Sequence, residues 1–298
     1  MNIDFKTLKD IFIDVVKQQE RFQTLKRIDE FKIDEKYVGD MFNYTIFEDR
    51  GTEAPIFYQI NSPFDIYSKR SPQQALVFSD GKLTKNIDYT EYAKARTGLF
   101  DALFLEKLFT PQDLQTKHIL MIGSGGIARY TLQSLSQLLN IQNLSYTNQS
   151  QPNEEFESVA KESAIKSTYI PKDTLTLDQW DIIIMHTSAS SPVLTKEMKE
   201  QLKPGTVLMT YSDSMEIDSS FYDPQFANLI VDYEPNIALA KDVSEAIKNN
   251  LCTPENFAHL LEHIKTDKQL GLDPRKYTLF RSKGTPYQNV AMLKYLDR

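Results

Sequence analysis

A chain of 298 residues is long enough to bury a core in one large domain or two smaller ones, and its 41% hydrophobic and 25% charged residues are ordinary for a globular protein. A net charge of −7 with no Lys/Arg run to offset it excludes a general nucleic-acid binder, and a single cysteine, Cys252, excludes an intrachain disulfide or a cysteine-based zinc cluster. The opening MNIDFKTLKD lacks an apolar signal core and no stretch approaches the roughly 18 apolar residues of a membrane span, so a soluble, cytoplasmic setting is expected.

Leu8, Ile11, Phe12, Val15 and Val16 recur at helical spacing after Asp4, a candidate N-cap, and predict an amphipathic opening helix. From Phe31 to Asp88 the pattern becomes β-like, with runs at 37–47, 55–60, 75–78 and 82–88. Turn signals separate them at 49–51, 62–63 and 80–81, and Asp80-Gly81 between apolar runs is a hairpin signal. A small, mostly antiparallel sheet follows. Residues 90–109 read as a helix broken by Thr110-Pro111. Strands at 118–122, 144–147, 167–170, 180–186, 206–211 and 229–231 then alternate with helices expected over 127–139, 154–163, 195–202, 242–249 and 254–263. That alternation predicts a doubly wound parallel sheet of α/β class. A strand at 277–282 and a helix at 286–295 break the rhythm and are expected to return to the first domain.

KHILMIGSGGIARYTLQS, residues 117–134, organises the chain. An apolar run ends at Ile122; Gly123, Gly125 and Ala128 follow at G-x-G-x-x-A spacing, and a helical pattern begins at Ile127. Strand, glycine turn and helix in that order form the context of a dinucleotide fingerprint. Gly123 permits the tight turn, Gly125 lets backbone approach a pyrophosphate, and Ala128 lets helix pack on strand. The N–H groups of Ser124, Gly125, Gly126 and Ile127 then face the anion at the helix N-terminus. The alternative is a purely structural turn. After the second strand the chain reads Asn148-Gln149-Ser150, where NAD enzymes usually place a carboxylate on the ribose hydroxyls. Without that carboxylate a 2′-phosphate is admissible, and NADP(H) is favoured with NAD(H) as the alternative. His259 and His263 form an i, i+4 pair without an H-E-x-x-H constellation, so no metal site is expected. His186, at the end of an apolar strand, reads as a packed, hydrogen-bonded histidine.

Three stretches together resemble the ornithine cyclodeaminase/mu-crystallin family: Arg96-Thr97-Gly98 opening a helix that leads to GSGGIA, the run from WDIIIMHTSASSPVL to LKPGTVLMTYSDS, and YTLFRSKGTPYQNVAMLKYL. The resemblance implies a Rossmann domain, 113–270, inserted in a discontinuous substrate and dimerisation domain, 1–112 with 271–298. It implies a homodimer, a small amino- or imino-acid substrate, and hydride exchange at a carbon bearing nitrogen and a carboxylate. Arg96 matches the family arginine that pairs a substrate carboxylate; the alternative is an arginine in a structural ion pair. Asp213 matches the acidic residue near the substrate amine, with a turn or cap aspartate as the alternative. Thr187, Ser188 and Ala189 match the loop beside the nicotinamide. Gln59 stands where relatives carry a substrate-contacting lysine, Asn289 where an aspartate is common, and the Gly-Lys segment after the acidic turn is missing. Relatives also carry an early arginine, for which Arg50 is the nearest candidate. The expectation is an NAD(P)-dependent ketimine reductase or amino-acid dehydrogenase. The alternatives are a cyclodeaminase-type ammonia-lyase with tightly held NAD and a non-catalytic NADPH-binding protein.

Overall fold

The computed structural model describes residues 3–28, 42–51, 56–63, 73–149, 151–189, 191–211 and 216–298, with backbone alone at 23–28, 42–47, 57–63 and 239. The chain divides into two compact units: Met1–Arg96 with Pro286–Arg298, and Thr97–Thr285.

In the first unit, helix α1 (Phe5–Lys17) starts where the Asp4 carboxylate accepts from the N–H groups of Lys6 and Thr7, each at 3.1 Å. Its buried face carries Leu8, Ile11, Phe12, Val15 and Val16, the residues whose spacing predicts it, and α1 packs on the closing helix α10 (Pro286–Leu296). Strands β1 (Phe22–Ile28), β2 (Phe42–Asp49), β3 (Ile56–Pro63), β4 (Gln74–Ser79) and β5 (Lys82–Asp88) form an antiparallel sheet in that order. β1 precedes the stretch where the sequence turns β-like. Of the run expected at 37–47, positions 37–41 lie outside the described residues, and the rest falls in β2, which continues to Asp49. β4 and β5 join through Asp80 and Gly81, both at positive φ (51° and 71°), the backbone of a tight hairpin turn.

Asp49 anchors this unit. Its carboxylate, fully buried, receives the Arg21 guanidinium, the Lys294 ammonium of α10 at 3.2 Å and the Gly51 N–H at 3.0 Å. Burial pushes its pKa up, but Arg21, Gly51 and Lys294 outweigh that and hold it below the ordinary aspartate value. A depressed carboxylate stabilises the fold above its unfolded pKa, about 3.9, and that contribution is lost as pH falls through the folded value. Asp49→Asn is therefore expected to cost about 2–3 kcal/mol at neutral pH, with the difference from wild type shrinking in acid. Urea unfolding across pH measures both.

In the second unit the strands are β6 (Ile119–Ile122), β7 (Asn143–Thr147), β8 (Lys166–Tyr169), β9 (Ile182–Met185), β10 (Val207–Tyr211), β11 (Ala227–Val231), β12 (Phe257–His259) and β13 (Tyr277–Ser282). They form one parallel sheet in the order β12-β11-β13-β10-β9-β6-β7-β8. β6 and β9 are wholly buried, as their unbroken apolar runs require of strands covered on both faces. The remaining α-helices described are α2 (Thr90–Leu108), α3 (Pro111–Gln115), α4 (Gly126–Leu139), α5 (Glu154–Glu162), α6 (Lys196–Lys199), α7 (Asn236–Leu239), α8 (Lys241–Lys248) and α9 (Leu260–Thr266). The fold is thus a Rossmann-type doubly wound sheet and a separate antiparallel-sheet unit assembled from both ends of the chain.

Two of the expected elements change type or unit. The helix expected over 254–263 is a 3-10 turn (Pro254–Asn256), then β12, then α9, because Phe257, Ala258 and His259 extend the sheet by pairing with Leu229, Ile230 and Val231. β13 pairs on both sides within the parallel sheet, with β10 and β11, and only α10 belongs to the first unit. The compact division accordingly falls after Arg96 and after Thr285, rather than at the expected 112/113 and 270/271.

Candidate functional site

The sheet order reverses at β6: β7 and β8 continue to one side, β9 and β10 to the other. The carboxyl ends of β6 and β9 therefore border the crevice where open α/β sheets bind ligands. Gly123, directly after β6, has φ +101° and donates its N–H to Thr147 O at 2.8 Å. A Cβ on Gly123 would overlap the carbonyl oxygen of His186 and lie 2.8 Å from its carbon, so only glycine fits the turn beside β9. Gly125 is the opposite case. Nothing lies within 4 Å of a Cβ built there, leaving open space where α4 begins. Gly126, Ile127 and Ala128 form the first turn of α4, with Ala128 fully buried against the sheet. Open space in front of unpaired first-turn N–H groups is the cradle a pyrophosphate fits.

The segment after β7, expected to serve a cofactor ribose, is tied to this turn by side chains. Ser124, 7% exposed, accepts through Oγ from Asn148 Nδ2 at 3.2 Å and Asn153 Nδ2 at 3.0 Å. Asn153 also caps α5, its Oδ1 accepting from Phe156 N at 3.1 Å. Sequence reading missed Asn153, although an Asn three residues before Phe156 is an N-cap signal. Gln149 is exposed, and Ser150 lies outside the described residues.

At the end of β9 the nicotinamide-loop candidates follow in order. Thr187 and Ala189 are half-buried and Ser188 is exposed. Thr187 is held by Glu216, a residue the sequence reading passed over. Glu216 Oε1 accepts from Thr187 N at 2.8 Å and Thr187 Oγ1 at 2.9 Å, while Oε2 accepts from Tyr211 N at 2.8 Å. One carboxylate, 1% exposed, thereby joins the ends of β9 and β10. Asp213 lies outside the described residues, in the segment between Tyr211 and Glu216. Burial raises the Glu216 pKa; the Thr187 and Tyr211 N–H groups and nearby His186 oppose it only in part. Glu216 consequently protonates at higher pH than an ordinary glutamate and then loses acceptor capacity. Glu216→Gln, which turns an amide toward an N–H donor, is expected to weaken dinucleotide binding about tenfold or more. Calorimetric titration checks it: affinity is expected to fall in the wild type as pH drops through the raised Glu216 value, and this pH dependence should be absent from the variant.

His186 is packed and hydrogen-bonded. Its Nε2 lies 2.9 Å from Asp101 Oδ2 and 3.0 Å from Thr131 Oγ1, and Thr131 also donates to Asp101. The cluster fastens α2 and α4 to the end of β9, with the Tyr211 ring 4.8 Å from the imidazole. Burial, and Asp101 beside it, hold the Tyr211 phenol well above the ordinary tyrosine range. Gly98 belongs to the same packing: a Cβ there would lie 2.7 Å from Thr131 N, and Gly98 O accepts from Ser134 Oγ at 2.5 Å. The glycine of the Arg-Thr-Gly motif is thus a close crossing of α2 and α4.

In the first unit, Arg96 Nη1 donates to Gln288 Oε1 at 3.0 Å, and Tyr89 Oη donates to Asn289 Oδ1 at 3.1 Å. Asn289, where relatives carry an aspartate, therefore holds a buried tyrosine. Gln59 lies on β3, its backbone paired with Ile46 and Leu76. Arg50 Nε bonds Glu48 at 2.8 Å, with the arginine side chain exposed. Among the described residues no group of His, Cys, Asp and Glu is placed to hold a metal ion, and no helix is long and apolar enough to cross a membrane.

The glycine turn at the reversal of a parallel sheet defines a Rossmann-type unit with an open cradle for a dinucleotide pyrophosphate. The family model described as Shikimate / quinate 5-dehydrogenase matches residues 105–212, which span that turn. No curated protein matches the chain. Among solved structures, an archaeal alanine dehydrogenase dimer with bound NAD is 17% identical (TM-score 0.76), covering 98% of this chain and 90% of that one. The Delta(1)-pyrroline-2-carboxylate reductase of Thermococcus litoralis, in complex with NADH and L-proline, is 19% identical (TM-score 0.76), covering 97% and 90%. The iminosuccinate reductase of Paracoccus denitrificans, in complex with NAD+, is 15% identical (TM-score 0.77), covering 98% and 90%. The chain has the fold of the ornithine cyclodeaminase/mu-crystallin family.

Proposed function

We propose that the protein is a divergent member of that family and an NAD(P)-dependent oxidoreductase acting at the C–N centre of an amino or imino acid. The observation that carries this is the Gly123–Ala128 turn, which leaves open space at Gly125 at the point where the sheet order reverses. The substrate class is supported by the three solved relatives, each named for an amino or imino acid.

A bound nicotinamide dinucleotide would supply the hydride. The chain's own residues bind and orient. The turn from Gly123 through Ser124, Gly125, Gly126 and Ile127 to Ala128 holds the pyrophosphate, and Asn148, Gln149 and Ser150 serve the ribose end, where the missing carboxylate favours NADP(H). Thr187, Ser188 and Ala189 border the nicotinamide, positioned by Glu216. Arg96 offers two parallel hydrogen bonds to a substrate carboxylate. Asp213 stabilises a cationic nitrogen, and Gln59 hydrogen-bonds substrate without shuttling a proton, which disfavours cyclodeamination. The active species is a homodimer.

The test is consumption of reduced nicotinamide with cyclic ketimine acids, or with keto acids plus an amine. Stoichiometric loss of its absorbance is expected, with Arg96→Ala severely impaired. Ammonia release without net absorbance change would instead identify a cyclodeaminase-type lyase. Tight cofactor binding with no turnover of any such substrate would identify a binding protein.

A further inference from the structure

The residues that follow β7, Asn148, Gln149 and Ser150, carry no charge. A cation reaches this region from another element. Arg129, in the first turn of α4, forms an ion pair with Glu155 in the first turn of α5. Asn148 and Asn153 both donate to Ser124 Oγ in the glycine turn. Asn153 N donates to Tyr146 Oη at 3.1 Å, and Tyr146 Oη donates to Glu157 at 2.6 Å, which fixes the start of α5. In a βαβ unit the adenosine ribose lies over the end of the second strand, here Thr147, beside that loop.

We propose that Arg129 is the residue that recognises the 2′-phosphate of NADP(H), and that Glu155 occupies its guanidinium until the cofactor arrives. The inference rests on the dinucleotide site proposed above. The first turn of α5 carries Glu154, Glu155 and Glu157, three carboxylates that repel a 2′-phosphate unless a cation intervenes. Glu157 is engaged by Tyr146, which leaves Arg129 and Glu155 as the adjustable pair. Their burial is unequal: the Arg129 side chain is 23% exposed and that of Glu155 72%. Releasing Glu155 to water costs little, since exposed ion pairs are weak. The guanidinium stays in place and exchanges a carboxylate for a phosphate, which its planar fork matches with two parallel hydrogen bonds.

The test compares dissociation constants for NADPH and NADH, with 2′,5′-ADP and 5′-ADP as fragment probes, in the full chain and two variants. Arg129→Gln is expected to weaken NADPH and 2′,5′-ADP about tenfold or more relative to NADH and 5′-ADP. Glu155→Gln is expected to shift the same ratio the other way, toward the 2′-phosphate ligands, and melting curves establish that both variants are folded. If Arg129→Gln weakens phosphorylated and unphosphorylated ligands alike, or leaves the ratio unchanged, the assignment to Arg129 is overturned while the dinucleotide site stands. If the wild-type chain binds none of the four, the dinucleotide site itself fails.

Discussion

Gly123→Ala is expected to abolish dinucleotide binding and to destabilise the second unit by on the order of 3 kcal/mol or more. Two causes add. At φ +101° an L-residue is strained by about 1–3 kcal/mol, and the new methyl collides with the His186 backbone. That backbone cannot retreat easily, since His186 N donates to Ile122 O at 2.8 Å and its ring is bound to Asp101 and Thr131. Gly125→Ala separates folding from binding at the same turn. Its Cβ meets nothing within 4 Å and its φ of −77° is ordinary, so stability should stay within about 0.5 kcal/mol of wild type. The methyl then stands in the pyrophosphate space, and affinity should fall about a hundredfold. Thermal melts and calorimetric titration of both variants read the two effects apart.

The largest loss of stability alone is expected at Asp242. Arg281 of β13 and Asp242 of α8 are 2% and 1% exposed and meet at 2.9 Å. Tyr222 Oη also donates to Asp242 at 2.7 Å, and Arg281 Nη1 donates to Ser282 O at 3.0 Å. Burial favours a neutral arginine, but Asp242 overrides it and keeps the Arg281 pKa above its ordinary value. Asp242→Asn strands a buried guanidinium and should cost about 3–5 kcal/mol. Removing both charges, Asp242→Leu with Arg281→Met, should recover much of that loss, since the pair's attraction largely offsets its own desolvation. Denaturant unfolding of Asp242→Leu, Arg281→Met and the double variant, beside Asp242→Asn, completes the cycle. A double variant as unstable as Asp242→Asn would mean that packing, rather than the stranded charge, carries the cost.

Much of this fold was legible because its signals are local. Asp4 before a 3.6-residue apolar pattern, Asp80-Gly81 between β runs, and an apolar strand running into Gly123 each state their geometry within a few residues. What escaped depends on partners far along the chain. Tyr277–Ser282 reads as a strand, but its place between β10 and β11 is set by pairing with residues some 50 to 70 positions earlier. Phe257–His259 carries a helix-like apolar pattern and becomes a strand because Leu229–Val231 offers a free edge. The same limit applies at the site. The Gly123, Gly125, Ala128 spacing announces a cradle, whereas Glu216, an unremarked glutamate in SMEID, becomes the staple of two strand ends only once Thr187 and Tyr211 are brought to it. Arg96-Thr97-Gly98 divides in two: the arginine is the carboxylate anchor of the proposed function, and the glycine is a helix crossing.

The most direct measurement is a crystal structure of the full chain soaked with NADPH. The pyrophosphate should lie over the first turn of α4, within hydrogen-bond reach of the Ser124 to Ile127 N–H groups, with the nicotinamide toward Thr187. Density for the cofactor at another place on the chain, with the space before Gly125 empty or filled by protein, would contradict the account.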